Sequence, residues 1–332
     1  MMMMAERALQ PDRLSDVPFT VGDMTIPRAR LSDDTIHIGR LAINFQRTLR
    51  IPDDGSCYPL PAGLGAFPVR KVSDFARRVP AAWRERGGYF IPMYQREALW
   101  ISFNGPHWRP NAVKVAVGDV NAVSGKPWDG RLRRRPQDYL VVPDQPWLDG
   151  INAGPNVIRQ FVAMPLGLGF TVEGQVTGVE TEGGMQITVI QPTPGRFPDR
   201  PSRSFGHRHG SMICESAPAG LQMGLAAGGR MEQKIYPDGY GKDTWDPKVS
   251  TTFHVHIVNS DMYHDITGEA PPPTPISAQT YTDFGLPWFR LYDEQQGDVA
   301  APDVLAGLSS LATLEKTTGD GVVVSPSQLV SI

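Results

Sequence analysis

Cysteine is almost absent. Cys57 and Cys214 are the only two in 332 residues, and they lie far apart. A disulfide-stapled secreted scaffold is thereby excluded, and no C-x-x-C spacing is present for a zinc knuckle or a redox centre. Two lone thiols fit a reducing compartment, with a single disulfide left open. No apolar run approaches the roughly 18 residues of a membrane span. The opening MMMMAERALQPDRLSD lacks the apolar core of a secretory leader and carries acids early. A soluble, cytoplasmic protein is the expectation. An excess of one charge is missing too: 32 basic residues face 35 acidic ones, a net charge of −3. Such a balance sets up no field to draw the chain onto nucleic acid or an anionic membrane, so neither is expected as a partner.

Catalytic signatures are equally scarce. Gly125-Lys126 is followed by Pro127 and Gly241-Lys242 by Asp243, so neither makes a Walker loop. The glycines of PLGLGFTVEG lack the dinucleotide spacing and lead into strand-like sequence, where a pyrophosphate site needs a helix N-terminus. No G-x-S-x-G elbow or H-E-x-x-H is present. The acid pairs Asp33-Asp34, Asp53-Asp54 and Asp293-Glu294 sit in turn-like contexts. The basic run RLRRR (131–135) has no interleaved aromatics and reads as a solvated loop or a structural anion patch.

Glycine (34) and proline (31) are plentiful, which favours short strands joined by turns over long helices. Apolar residues at 40% and charged residues at 20% describe a globular chain. IHIGRLAINFQRTLRI alternates from Ile36 onward. YFIPMYQREALWISF, NAVKVAVGDVNAV, DYLVV, VIRQFVAM, FTVEGQVTGV and MQITVIQ follow as strand-like runs, the last two reading as a hairpin. SDFARRVPAAWRERGG (73–88) predicts a helix interrupted at Pro80. SAPAGLQMGLAAGG predicts a short helix. SDMYHDITG and SAQTYTDFG each begin at a serine and stop at a glycine, as short helices do. APDVLAGLSSLATLEK predicts an amphipathic helix near the chain end. The expected fold is mainly β: one large antiparallel, sandwich-like domain over 36–332, with a few short helices and a C-terminal helix. A polar arm over 1–35 precedes it. The irregular stretch QPTPGRFPDRPSRSFGHRHGS (191–211) offers the alternative of a subdivision.

Chemistry-bearing residues concentrate in FHVHIVNSDMYH (253–264). On a strand, residues i and i+2 share a face, so His254 and His256 can present imidazoles to one ion while Phe253, Val255 and Ile257 face the core. A second pair, His207 and His209, lies on the irregular loop, and Asp261 or His264 can supply a further ligand. Zinc or iron would suit such a set. The competing reading is a strand whose outer face carries polar residues. The spacing also departs from the cupin pattern, since Glu215 follows the first pair too late and Asp261 stands where glutamate is expected.

Several tryptophans sit beside proline or glycine, in GPHWRP, GKPWDG, DQPWLDG and GLPWF. A ring on a loop must be buried under it, in a ligand groove or in a partner. GLPWFRLYDE sets Leu286, Trp288, Phe289 and Tyr292 in one segment, a composition suited to docking a partner. A tryptophan-lined pocket for a small molecule is a further reading.

IRQFVAMPLGLGFTVEGQVTG, AAGGRMEQKIYPDGYGKDTWD and ITGEAPPPTPISAQTYTDFGLPWFRLYDE together resemble a group of uncharacterised bacterial proteins, over most of residues 43–316. The resemblance implies a bacterial intracellular protein and carries no activity. The leading functional expectation is a structural or interaction protein, a homo-oligomer or one that docks a protein partner through its loop aromatics and terminal segments. A metal-dependent enzyme or metal-binding protein using the His-x-His strand is the alternative.

Overall fold

The computed structural model describes residues 19–21, 24–198, 222–273, 285, 288–289 and 296–317. Alternation in the sequence becomes alternation in space. In the strand Leu41–Thr48, Leu41, Ile43 and Phe45 are fully buried, and the residues between them are partly exposed. The preceding turns have the geometry that tight hairpins require. Asp33 and Asp34 both have positive φ (49° and 56°), joining Ala29–Ser32 to Thr35–Ile38. Gly39 (φ 60°) then leads with Arg40 into Leu41–Thr48. The chain therefore enters the sheet at Ala29, earlier than the expected arm boundary at 35.

Most of the strands form one large sheet that closes on itself, so the expected sandwich is realised as a continuous hydrogen-bonded wall, with two small two-stranded sheets beside it. Among the described residues pairing is antiparallel with two exceptions: Tyr89–Met93 runs parallel to Trp245–Asn259, and Cys57–Tyr58 runs parallel to Arg230–Met231. Met185–Pro192 lies between Asn111–Val117 and Trp245–Asn259, and Val157–Pro165 pairs with Gln222–Glu232. Inward residues such as Phe45, Leu99, Val115, Phe161, Ile187 and Val255 make the main core. Burying each contributes about 1.5–3 kcal/mol. A smaller layer covers part of the outer face. Val72, Val79 and Trp83, with the helix Ala81–Arg86, meet Phe90, Val258 and the residues Tyr263 and Ile266 of the helix Ser260–Thr267.

Local expectations fared unevenly. Pro80 divides the segment 73–88 as anticipated, into a short turn Val72–Phe75 and the helix Ala81–Arg86. Asn259 caps Ser260–Thr267, which Gly268 closes in the left-handed region. The FTVEGQVTGV hairpin does not form. Val172–Thr177 is a helix, because the Thr171 hydroxyl accepts from Gly174 N (3.0 Å) and Gly178 (φ 77°) ends it. From that helix the Glu173 carboxylate accepts from the amides of Thr181, Glu182 and Gly183. GLQMGLAAGG is strand rather than helix from Gln222, its small residues buried against Val157–Pro165. The C-terminal helix is broken in two, Asp303–Ala306 and Leu311–Thr317, with Gly307 capping the first. SAQTYTDFG lies almost wholly outside the described residues. Among the described residues, no helix is long and apolar enough to cross a membrane.

Candidate functional site

His254 and His256 lie on the strand Trp245–Asn259 and share one face. Their rings are 6.1 Å apart and nearly parallel, at 11°. Phe253, Val255 and Ile257 point into the main core, as the strand period requires. The helix Ala81–Arg86 closes this face to water at His256, while His254 is only half-buried. The His256 ring stacks on Trp83 at 4.6 Å, and its Nε2 is 3.0 Å from the Gly87 carbonyl oxygen. A carbonyl only accepts, so Nε2 carries the proton and donates. Burial pushes the His256 pKa down to about 4, against the opposing pull of the Gly87 carbonyl. Burial also lowers His254, assisted by Arg86 and opposed by Asp119.

Around His254 stand Asp119, at a hairpin tip with φ 60°, and the ion pair Arg86–Glu182. Burial raises both carboxyls, with Arg86 opposing in each case. Among the described residues, no three of His, Cys, Asp and Glu converge as a metal-ligand set. His207 and His209 lie outside the described residues. With Nε2 committed to Gly87, His256 serves as a packing and hydrogen-bonding residue. We expect His256→Ala, which opens a gap under Trp83 and strips the Gly87 carbonyl of its donor, to cost about 2 kcal/mol in chemical denaturation. His254→Ala should cost much less. Loss of a bound zinc or iron ion from both variants would instead favour the metal reading.

Of the docking segment, Trp288 is 43% exposed on a two-residue strand, Trp288–Phe289, that pairs with Leu60–Pro61. Leu286 and Tyr292 lie outside the described residues. The RLRRR run is structural. The buried Lys114 ammonium reaches the carbonyls of Asp129 and Arg131 and the Asp138 carboxylate, while Arg133 bridges Asp129 and Asp138.

A site that the sequence reading did not single out opens at one end of the sheet. Pro27, Gly39, Arg40, Arg109, Asn111 and Gln191 line a cleft of about 250 Å³. Arg40 reaches it from the hairpin tip and lies over the Trp108 ring at 5.1 Å. Asn111 begins the strand Asn111–Val117, one step beyond the rung Ala112↔Ile190 that sets it opposite Gln191. Gln191 sits where the register of Met185–Pro192 against Trp245–Asn259 slips, between Ile190 and Pro192. Such an irregularity re-aims a side chain out of the ladder. The Thr251 hydroxyl donates to the Pro27 carbonyl and fixes the remaining wall.

Asn111 and Gln191 are only 3% and 8% exposed, yet Asn111 Oδ1 and Gln191 Nε2 have no hydrogen-bond partner. Trp100 Nε1, Asn259 Nδ2, Ser260 Oγ and Asp261 Oδ2 are also unpartnered, but none of these residues lines the cleft. Two arginine and two amide residues thus line one concave space, the unpartnered amide atoms themselves being closed to water. Among the described residues, no carboxylate lines it. The available signal was GPHWRPN, where a tryptophan and an arginine precede the strand. Its partners Arg40 and Gln191 lie far away in sequence.

Comparison with family models, curated proteins and solved structures found no match to this chain.

Proposed function

We propose that this is a binding protein that holds a small anionic ligand in the Arg40–Arg109–Asn111–Gln191 cleft. The observation that carries the reading is that Arg40 and Arg109 both line this concave space, while among the described residues no carboxylate does. Two arginines select negative charge, and planar carboxylate or phosphate groups suit their forked donors. The test is calorimetric titration with small carboxylates and oxyanions at low salt, on native protein and on Arg40→Gln and Arg109→Gln. Native protein should bind at least one anion, and each variant should weaken it about tenfold or more. No binding by native protein, or unchanged binding by both variants, would overturn the reading.

A second reading, self-association or docking of a protein partner, rests on the exposure of Trp288. It predicts an assembly larger than one chain in sedimentation at tens of micromolar, and its loss in Trp288→Ser. A native protein that sediments as a single chain would contradict self-association.

A further inference from the structure

A guanidinium group keeps its charge in a folded chain and is ordinarily held by a carboxylate or a carbonyl. Two half-buried arginines of this protein are not. Arg50 follows the strand Leu41–Thr48, and Arg159 lies in Val157–Pro165. Among the described residues, neither guanidinium makes a hydrogen bond or an ion pair. Burial pushes both pKa values down. Glu315 opposes that at Arg50 and Asp53 at Arg159, while the cations Arg96 and Arg230, respectively, add to it. Arg159 and Arg230 stand directly opposite one another on paired strands, an arrangement that destabilises the sheet when no anion lies between them.

The main chain holds these groups together. Gln160, beside Arg159, clamps the loop that carries Arg50: its Nε2 donates to the Leu49 carbonyl (2.8 Å) and its Oε1 accepts from Ile51 N (3.1 Å). A Cβ on Gly229 would collide with the Pro52 carbonyl, so glycine there lets the same loop lie against the strand of Arg230. The register slips between Arg159 and Phe161, which re-aims Arg159 out of the ladder. Asp53 lies within electrostatic reach of both Arg50 and Arg159 and is tied to Ala312 N (2.9 Å). Arg96 is already paired with Glu315 (2.6 Å), and Glu232 lies further along its strand, opposite Val157. Arg50, Arg159 and Arg230 thus face Asp53 with positive charge in excess.

We propose that these three arginines form a second anion site, apart from the Arg40–Arg109 cleft, and that it takes a phosphoryl group. Arg40 precedes the strand Leu41–Thr48 and Arg50 follows it, which sets them about 25 Å apart along the chain. A phosphoryl group carries nearly two negative charges at neutral pH and offers oxygens on several sides. It can therefore meet forked donors that arrive from a loop and two strands, where a planar carboxylate brings one charge and fewer directions.

The probes are inorganic phosphate and phenyl phosphate, titrated by calorimetry at pH 7.5 and low chloride. Native protein is compared with Arg40→Gln/Arg109→Gln, which disables the cleft, and with that variant carrying Arg50→Gln, Arg159→Gln or Arg230→Gln. The cleft variant should still bind at least one probe, and each added substitution should weaken it about tenfold or more. Tighter binding of phenyl phosphate assigns the site to a phosphate ester and tighter binding of inorganic phosphate to the free ion, and either supports the proposal. Binding that disappears with the cleft arginines, or that survives all three added substitutions, would overturn it and leave the cleft reading in place. Absence of binding of both probes to native protein would overturn it as well, while carboxylate binding still tests the cleft. Arg230 is exposed, so Arg230→Gln decides the matter if a half-buried variant fails to fold. If the cleft variant fails to fold, the same three substitutions in native protein should each remove one phosphate from the bound stoichiometry, and an unchanged stoichiometry would overturn the proposal.

Discussion

At pH 8, Asp149→Asn is expected to make the protein more stable, by an amount on the order of 4 kcal/mol. Asp149 is 2% exposed, between the strands Trp147–Leu148 and Gly150–Gly154. Gln233 faces it in a reciprocal pair: Gln233 Nε2 donates to Asp149 Oδ1 (2.8 Å), and Asp149 N donates to Gln233 Oε1 (3.1 Å). A neutral amide is weak compensation for a buried charge, so burial pushes the carboxyl pKa up to about 7 from 3.8. The folded chain therefore holds a proton here that the unfolded chain has released. Stability falls as pH rises from about 4 to about 7 and is level beyond. Asparagine mimics the neutral acid and removes the dependence. Urea unfolding of both proteins from pH 4 to 8 checks it: the gap should be small at pH 4 and full at pH 8. A gap of the same size at every pH would show that Asp149 is not held neutral.

The second large effect lies at Arg47 and Glu97, whose side chains are 3% and 1% exposed and meet at 3.0 Å. Arg47 comes from Leu41–Thr48, beside the strand Ala98–Asn104 that follows Glu97. Glu97 Oε2 also accepts from Tyr94 N (2.9 Å), and the Arg47 guanidinium lies 5.9 Å from the centre of the Phe67 ring. Burial raises the Glu97 pKa, and Arg47 opposes that shift. Removing the cation alone leaves a carboxylate in the core. Arg47→Met should cost about 3–5 kcal/mol at pH 8. The cost should shrink toward pH 5, because a raised carboxyl pKa favours the folded state only once the proton is bound. The double variant Arg47→Met/Glu97→Leu should recover most of the loss, since two desolvation penalties vanish together. A single variant within about 0.5 kcal/mol of native, by urea unfolding, would contradict this account of the pair.

How much of this was legible in the sequence depends on how far apart the interacting residues lie. The β-rich class was legible because period-two alternation is local, as in Leu41–Thr48. The shared face of His254 and His256 was legible for the same reason. What covers that face was not, since Gly87 reaches His256 across 169 residues. FTVEGQVTGV alternates like a strand, but the Thr171 cap and the three amides gathered by Glu173 make a helix of it. Pattern alone does not price those tertiary hydrogen bonds. The cleft was the least legible feature. It joins a hairpin tip, the start of one strand and an irregularity in another, and the missing partners of Asn111 and Gln191 are properties of assembled space.

The central claim is that this cleft holds a ligand. The most direct measurement is a crystal structure of native protein soaked in turn in small carboxylates and oxyanions. The account predicts density for an anion beside Arg40 and Arg109 within the cleft. A cleft holding only water at saturating concentrations of each anion would contradict it.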